Sequence, residues 1–495
     1  MRLHFVLLSS VLACGDPTLS TTDAAAPDAT VDAGMSSADA GMMAIDAGMM
    51  AVDAGMMAGC AAPTGVVEHA TDIAADETWV GGTTHFVREY ITVRAPATLT
   101  IEPCAVVQIA ANRTITVRGD SSMNTARLIA RGTADRPIRF ERRVASDAWG
   151  GLRGYNASSL IDLAYVELEG GGANTGNGAT LELNGENVQG APSPVITVDH
   201  TVISHSKGYG VLLLAAAAFT SNSRDLTIKD SGEAANPAVL SLTIAALATL
   251  PTGSYTGNFA DVIRVEQSLD VTSDLTIRNF GVPIHFVFGR VQVVAKVAPF
   301  PVVTLTVEPG AELRFDDYIS FGIVGGGGEH TGVLRAIGTE TAKIVFTSAK
   351  SARAAGDWPG IWLRSAQGSA LDHVVIEYAG GPNGIISNNC KPAMSTDNAA
   401  LTVGNFTASY VPSPASFTNL EIRDSTVTQI DSGVLDTTNR SHSQGMPLNH
   451  PPAMSVRARW RVAGIASRRR ISSVPPSCTH GGRYWVSDDD DASYG

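Results

Sequence analysis

The sequence predicts an all-β chain: a right-handed parallel β-helix solenoid with a disordered N-terminal tether and a poorly structured C-terminal tail. Three observations carry this. Aromatic residues make up 6% and charged residues 17% of the chain, with 49 glycines, a balance that favours short strands and turns over helices. One module is written twice. Within both copies, apolar and polar residues alternate over segments of about four residues, separated by Gly, Pro, Asn and Asp.

Residues 1–13 read as an export signal, with Arg2 as the positive end, Phe5 to Leu8, Val11 and Leu12 as the apolar stretch, and Ala13 before Cys14. Such a run is too short to span a bilayer as a stable helix. VLAC resembles the lipobox of bacterial lipoproteins, which implies lipid on Cys14. Gly15 rather than Asp follows it, a choice that in such lipoproteins permits sorting to the outer membrane. Residues 14–59 form a linker with seven Asp, no Lys or Arg, and DAGMMA recurring every seven residues. A glycine inside every putative heptad costs about 1 kcal/mol, so disorder is expected rather than a coiled coil.

The folded body is expected in two modules, 60–270 and 271–436. TLTIEP at Thr98 recurs as TLTVEP at Thr304, and LIARGTADRPIRF at Leu128 as LRAIGTETAKIVF at Leu334, both 206 residues apart. Trp149 pairs with Trp358 at 209, LIDLAYVELEGG with ALDHVVIEYAGG at 210, and PSP with PSP at 220. An offset that grows in steps places the insertions in loops between constant strands, as in stacked coils. At roughly 20–30 residues per coil, 13–18 coils are expected. The run Leu212 to Ala218 is the best helix candidate and equally fits a buried strand or turn.

These motifs resemble right-handed parallel β-helix repeat lipoproteins of myxobacterial (δ-proteobacterial) type. The second copy carries the likeness best, in TLTVEPG, LRAIGT, GDWPGI and LDHVVIEYAG. The resemblance covers about 66–436 and implies the fold, but no agreed activity.

Setting Cys14 aside, Cys60, Cys104, Cys390 and Cys478 allow three pairings, and oxidation is permitted in an exported chain. Cys60 with Cys104 is the first choice, since it would pin the start of the body to an early coil. The first copy also departs from the second by having Cys104 where Gly310 stands. No CxxC supports a metal site, and no cofactor is expected.

The formal charge of −13 argues against nucleic acid as a partner, because phosphate binding rests on clustered Lys and Arg. For catalysis, a glycosidic bond needs two carboxylates about 5–5.5 or 6.5–9.5 Å apart. Asp162 and Glu167 correspond to Asp372 and Glu377 in the repeat, and such recurrence fits a turn or strand role better than catalysis. His373 and Glu377 share a strand face by even spacing, though a lone His there is ordinary. Arg314, Asp316 and Asp317 occur in one copy only and are ligand candidates, although adjacent acids on a strand point to opposite faces and a solvated loop or calcium contact fits as well. Exposed aromatics would suit sugar faces, and Trp358, Trp362, Tyr378, Tyr155 and Tyr165 lie near strands. Trp149 and Trp358 are repeat-equivalent and read as packing residues, leaving Trp362 as the ligand candidate. No catalytic residue emerges.

The expected function is therefore a non-enzymatic cell-surface lipoprotein, a binding or structural scaffold for extracellular polysaccharide or another envelope component, held to the membrane by its lipid. The alternative is a polysaccharide lyase or glycoside hydrolase using the β-helix groove. Residues 437–495 break the pattern: Arg440 to Ser487 hold eight Arg and no Lys, Asp or Glu, without strand alternation. That composition fits a shifted reading frame in a GC-rich gene, or else a genuine basic tail that docks on acidic envelope sugars.

Overall fold

The computed structural model describes residues 59–432, apart from 121–123, 157, 174–177, 186–192, 235–236, 267–269, 288–290, 297–298, 318, 324–331, 364–367, 382–399, 404–414 and 427–429. Cys14, the signal and most of the linker, Cys390, Cys478 and the tail 437–495 lie outside the described residues.

The described body is a parallel β-helix solenoid. Every pairing between its strands is parallel, and the strands fall into two sheets of twelve, one of six and one of five. A proximal sheet runs from Val66–His69 to Gly253–Ser254. A continuous sheet runs from Ile91–Arg94 to Glu421–Arg423 and so crosses the junction between the two copies of the repeat. Two distal sheets, from Asp270–Val271 and from Leu275–Ile277 onward, complete the second half. Twelve strands in the continuous sheet, with Ile73 bridging Val93 as a further partial rung, put the coil number at the low end of the expected range. The widest sequence separation between neighbouring strands of this sheet falls between Val374–Glu377 and Glu421–Arg423.

Alternation in the sequence becomes alternation in burial. Thr98–Ile101 buries Leu99 and Ile101, and Val303–Val307 buries Val303, Leu305 and Val307. These side chains stack in register along the interior. Leu99 lies over Leu128, Ile161, Ile196 and Phe219, and Ile277 over Val307, Ala336, Leu371 and Phe417. Each such side chain contributes about 1.5–3 kcal/mol by leaving water, a gain that exists only once neighbouring coils are stacked.

The chain turns some of its corners through single left-handed residues rather than loops. The long strand Ser159–Glu169 pairs with Ala126–Arg131 along its first part and with Ile138–Arg142 along its last, and Tyr165 (φ 50°) makes the bend. His200 (φ 47°) and Asp225 (φ 51°) take the same position in the next two coils, as His373 (φ 50°) and Asn419 (φ 45°) do in the second half. Asn, Asp and His are the non-glycine residues that tolerate this region best. His373 therefore breaks the strand between Asp372 and Val374, so its even spacing from Glu377 does not put the two on one strand face.

The structure also shifts the repeat alignment by two residues. Ala130 pairs with Leu163 and Ala336 with Leu371, and the indole Nε1 of Trp149 donates to the Glu169 carbonyl as that of Trp358 does to Glu377. The structural counterparts are thus Ala164 with Asp372 and Glu169 with Glu377. The expected correspondence of Asp162 with Asp372 and Glu167 with Glu377 does not hold, because letter identity across DLAYVELE and DHVVIEYA outscored the true corner. Trp149 and Trp358 are both fully buried.

The second copy is advanced by one strand around the solenoid. The third strand of the first repeat, Gly151–Tyr155, lies in the continuous sheet, where the second repeat places its second strand, Ile344–Ser348. The step occurs where strands shrink to Ala218–Phe219 and Gly253–Ser254 and a four-residue helix, Ile244–Leu247, takes a strand's place. Thr243 caps it by accepting from the Ala246 amide at 3.2 Å. The expected helix candidate is instead the strand Tyr209–Leu214 and a turn, since Val211 and Leu213 point into the core. At the other end of the first module Cys60 and Cys104 are joined, with Cα atoms 5.5 Å apart. Cys104 (φ 69°) and Gly310 (φ 80°) hold the same left-handed turn position in the two copies.

Candidate functional site

A groove of about 420 Å³ opens on the outer face of the proximal sheet, lined by Arg131, Asp162, Ala164, Thr197, Asp199 and the segment Ser221–Arg224. Register builds it: Arg131, Ala164, Asp199 and Arg224 sit opposite one another on four successive strands, and Asp162 faces Thr197. Ala164, small and nearly buried, leaves the floor open. The volume falls within the range of about 300–1,000 Å³ typical of ligand sites.

The two carboxylates are held differently. Arg224 grips Asp199 with Nε to Oδ1 at 2.8 Å and Nη2 to Oδ2 at 2.7 Å, and His200 Nδ1 lies 2.6 Å from Oδ1. Burial pushes the Asp199 carboxyl up, and the Arg224 and His200 hydrogen bonds outweigh it, holding the group below the ordinary carboxylate range. Arg131 instead places Nε at 2.9 Å and Nη2 at 2.6 Å on a single oxygen, Asp162 Oδ2. Asp162 Oδ1 is buried and has no hydrogen-bond partner. Next to the groove, the Tyr165 and His200 rings stack at 4.6 Å and 10°.

Asp199, His200 and Asp225 bring one ligand atom each within 4.8 Å of one another. A cation there would have to displace Arg224, which occupies both Asp199 oxygens.

Arg314 lies on the continuous sheet, on a different sheet from the groove, and Asp316 and Asp317 come just after its strand. Arg314 points outward in register between His285 and Thr347 and pairs with Glu312 at 2.7 Å. Asp316 and Asp317 follow the strand Glu312–Phe315 rather than lying in it. Asp316 meets His285 at 2.7 Å and Asp317 meets Lys350 at 2.7 Å, while Lys350 also reaches Asp357 at 3.1 Å. The three residues take separate partners and form no common site. Trp362 is only 6% exposed, packed on the strand Gly360–Leu363, so it offers no open ring face to a ligand. Tyr155 is half-buried and donates to Glu182 at 2.9 Å.

Sequence reasoning missed Arg131, Asp199 and Arg224, which come together only through register. It also missed Glu377's role. That carboxylate is buried, takes the Thr347 hydroxyl at 2.9 Å and Arg423 at 2.7 Å, and lies 3.6 Å from Arg353.

Proton transfer to a leaving sugar needs a carboxyl held above its ordinary pKa. Among the described residues the displaced carboxyls, Asp72, Asp199, Asp357 and Asp372, all move downward. In each, burial pushes up and hydrogen bonds outweigh it. What the groove offers is fixed hydrogen-bonding groups. No protein-family model, no curated protein and no solved structure matches the chain.

Proposed function

We propose that this chain is an exported, lipid-anchored protein of the outer membrane or cell surface whose solenoid binds extracellular polysaccharide without turning it over. The observation that carries the reading is the groove at Arg131, Asp162, Asp199 and Arg224. Guanidinium and carboxylate groups there are set side by side by strand register and held by their ion pairs, with hydroxyl and amide groups on the rim and an aromatic stack alongside. Such groups match the alternating donors and acceptors of sugar hydroxyls. The stacked coils repeat at about 4.7–4.9 Å, which sets a regular row of side chains along the sheet for a polymer to follow. The VLAC run and the acidic linker supply the anchor and the reach.

The test is affinity electrophoresis of the full-length protein through gels containing single polysaccharides, with reducing ends and unsaturated products assayed in parallel. Retardation by at least one polysaccharide without product supports the reading. Steady product release that Asp162→Ala abolishes would replace it with the lyase or hydrolase alternative. Asp316→Ala with Asp317→Ala leaves the retardation unchanged, because those acids serve His285 and Lys350.

A further inference from the structure

The interior of the solenoid starts on three rings rather than on an aliphatic layer. We infer that His69, Trp79 and His85 form an acid-operated latch on the first coil, which stays shut with one proton added to the histidine pair and opens when a second is added.

Register puts the rings there. Val67 and His69 pair with His85 and Val87, these pair in turn with Val107 and Ile109, and Trp79 pairs with Ile101. Val87, Val107, Ile109 and Ile101 are core residues, so His69, His85 and Trp79 point inward by the same alternation. Trp79 stacks on both imidazoles, with centroids 4.1 Å from His69 and 5.2 Å from His85. It is 1% exposed and His85 2%. Among the described residues no strand stacks beyond Val66–His69 or Glu77–Trp79, so the three rings close that end of the core.

Their partners fix where the protons sit. Val80 offers His85 Nε2 a carbonyl at 3.0 Å, which only accepts, so Nε2 carries the hydrogen and Nδ1 keeps its lone pair. That lone pair meets His69 Nε2 at 3.0 Å. His69 Nε2 therefore donates, and its Nδ1 is left bare 3.5 Å from Glu77 Oε1. A first added proton goes to this Nδ1, where the carboxylate meets it and neither ring has to move. A second can go only to His85 Nδ1, where it faces the His69 Nε2 hydrogen. Two imidazolium rings cannot share that contact. The rings must part, and Val66–His69 must leave Thr84–Val87 with them.

The surroundings offset one charge and not two. Glu77 faces the pair, whereas Glu68 turns to Arg88 at 3.7 Å, Asp72 to Arg94, Asp76 to the Thr98 amide at 2.9 Å and Glu102 to the Gly81 amide at 3.1 Å. Burial disfavours charge on both rings and holds them below 6.5, with Glu77 opposing. The latch is thus shut at neutral pH and opens as pH falls below that value. The Cys60–Cys104 bond ties the start of the freed segment to the next coil, so the opened coil stays attached and can close again.

Hydrogen exchange of the full-length protein between pH 7.5 and 4.5, corrected for the intrinsic effect of pH on exchange, tests this. Amides of Val66–His69 and Thr84–Val87 are expected to lose protection by up to about tenfold per pH unit, the limit for one extra proton held by the open form, while Ile344–Ser348 keeps its own. His85→Gln presents an amide oxygen to His69 and an NH₂ to Val80 but takes up no proton, and its first coil is expected to stay protected throughout. If that variant is already open at pH 7.5, Glu77→Gln decides, since its amide oxygen still serves the Trp79 indole. Its opening midpoint is expected to move to lower pH, because the charge that favoured protonation is gone. Opening of His85→Gln with the wild-type pH dependence, a Glu77→Gln midpoint that is unchanged or raised, or loss of protection in Ile344–Ser348 together with the first coil overturns the latch.

Discussion

Removing one aromatic ring from the interior tests whether the coils are held by the stacked core that this structure describes. Phe315 is fully buried and lies in register over Phe286, with ring centroids 5.2 Å apart and planes 9° apart. It also stacks on Trp358 at 4.5 Å and meets Phe321 edge-on at 5.8 Å. Phe→Ala in a core costs about 3–5 kcal/mol, and aromatic pairs add roughly 0.5–1.5 kcal/mol each beyond area. With four aromatic partners, Phe346 at 6.3 Å being the fourth, Phe315→Ala should fall near the top of that range, about 4–5 kcal/mol. Solenoid stability is a sum of coil and interface terms, so the loss should be local. Native-state hydrogen exchange is therefore the assay. Amides of Glu312–Phe315 and Ile344–Ser348 should exchange roughly a thousandfold faster, since each 1.4 kcal/mol is a factor of ten. Phe259→Ala, at a 62% exposed position, should change exchange little. Equal effects of the two substitutions, or a loss under about 1 kcal/mol at Phe315, would refute the stacked-core account.

His69 and His85 lie on neighbouring strands with Nε2 and Nδ1 3.0 Å apart; burial pushes both below their ordinary value of 6.5, His85 lowers His69 further, and Glu77 opposes the shift at both. The folded state thus refuses protons that the unfolded state accepts. Its stability is full above pH 6.5 and declines as pH falls from 6.5 toward the folded values. Melting temperature should drop between pH 7.5 and 5.5, and His85→Gln should flatten that drop; the lowered aspartates act only below their ordinary 3.8. Glu377→Ala leaves the Thr347 hydroxyl without its acceptor and takes the nearest carboxylate from Arg423, which keeps Glu421 at 3.3 Å; it should cost about 1–3 kcal/mol, read as faster exchange in Val374–Glu377. Unchanged exchange would show that the buried carboxylate holds nothing. Cys14→Ser should release the protein from the membrane fraction, and retention without a lipid adduct by mass spectrometry would remove the anchor.

Much of the solenoid was legible because its physics is periodic. Two-residue alternation in TLTI and TLTV gave the inward faces, and the repeat gave the stacking. The corners were not legible. Tyr165, His200 and His373 look like ordinary strand residues, and only the backbone reveals that each bends the chain in a left-handed conformation. That hidden corner is why sequence identity misaligned Glu167 with Glu377. The groove was illegible for a related reason. Arg131, Asp162, Asp199 and Arg224 lie far apart in sequence and meet through register alone. Residues chosen for being adjacent, Arg314, Asp316 and Asp317, dispersed to three different partners. Trp362 drew attention for lacking a counterpart, yet burial governs whether a ring can receive a ligand, and its outward strand position is covered.

The most direct test of binding without turnover is a crystal structure of the chain grown with a neutral oligosaccharide of defined length taken from whichever polymer retards it. The account predicts an intact oligosaccharide seated between Arg131 and Arg224. A shortened sugar, or an intact one bound on another face with the groove holding only solvent, would contradict it.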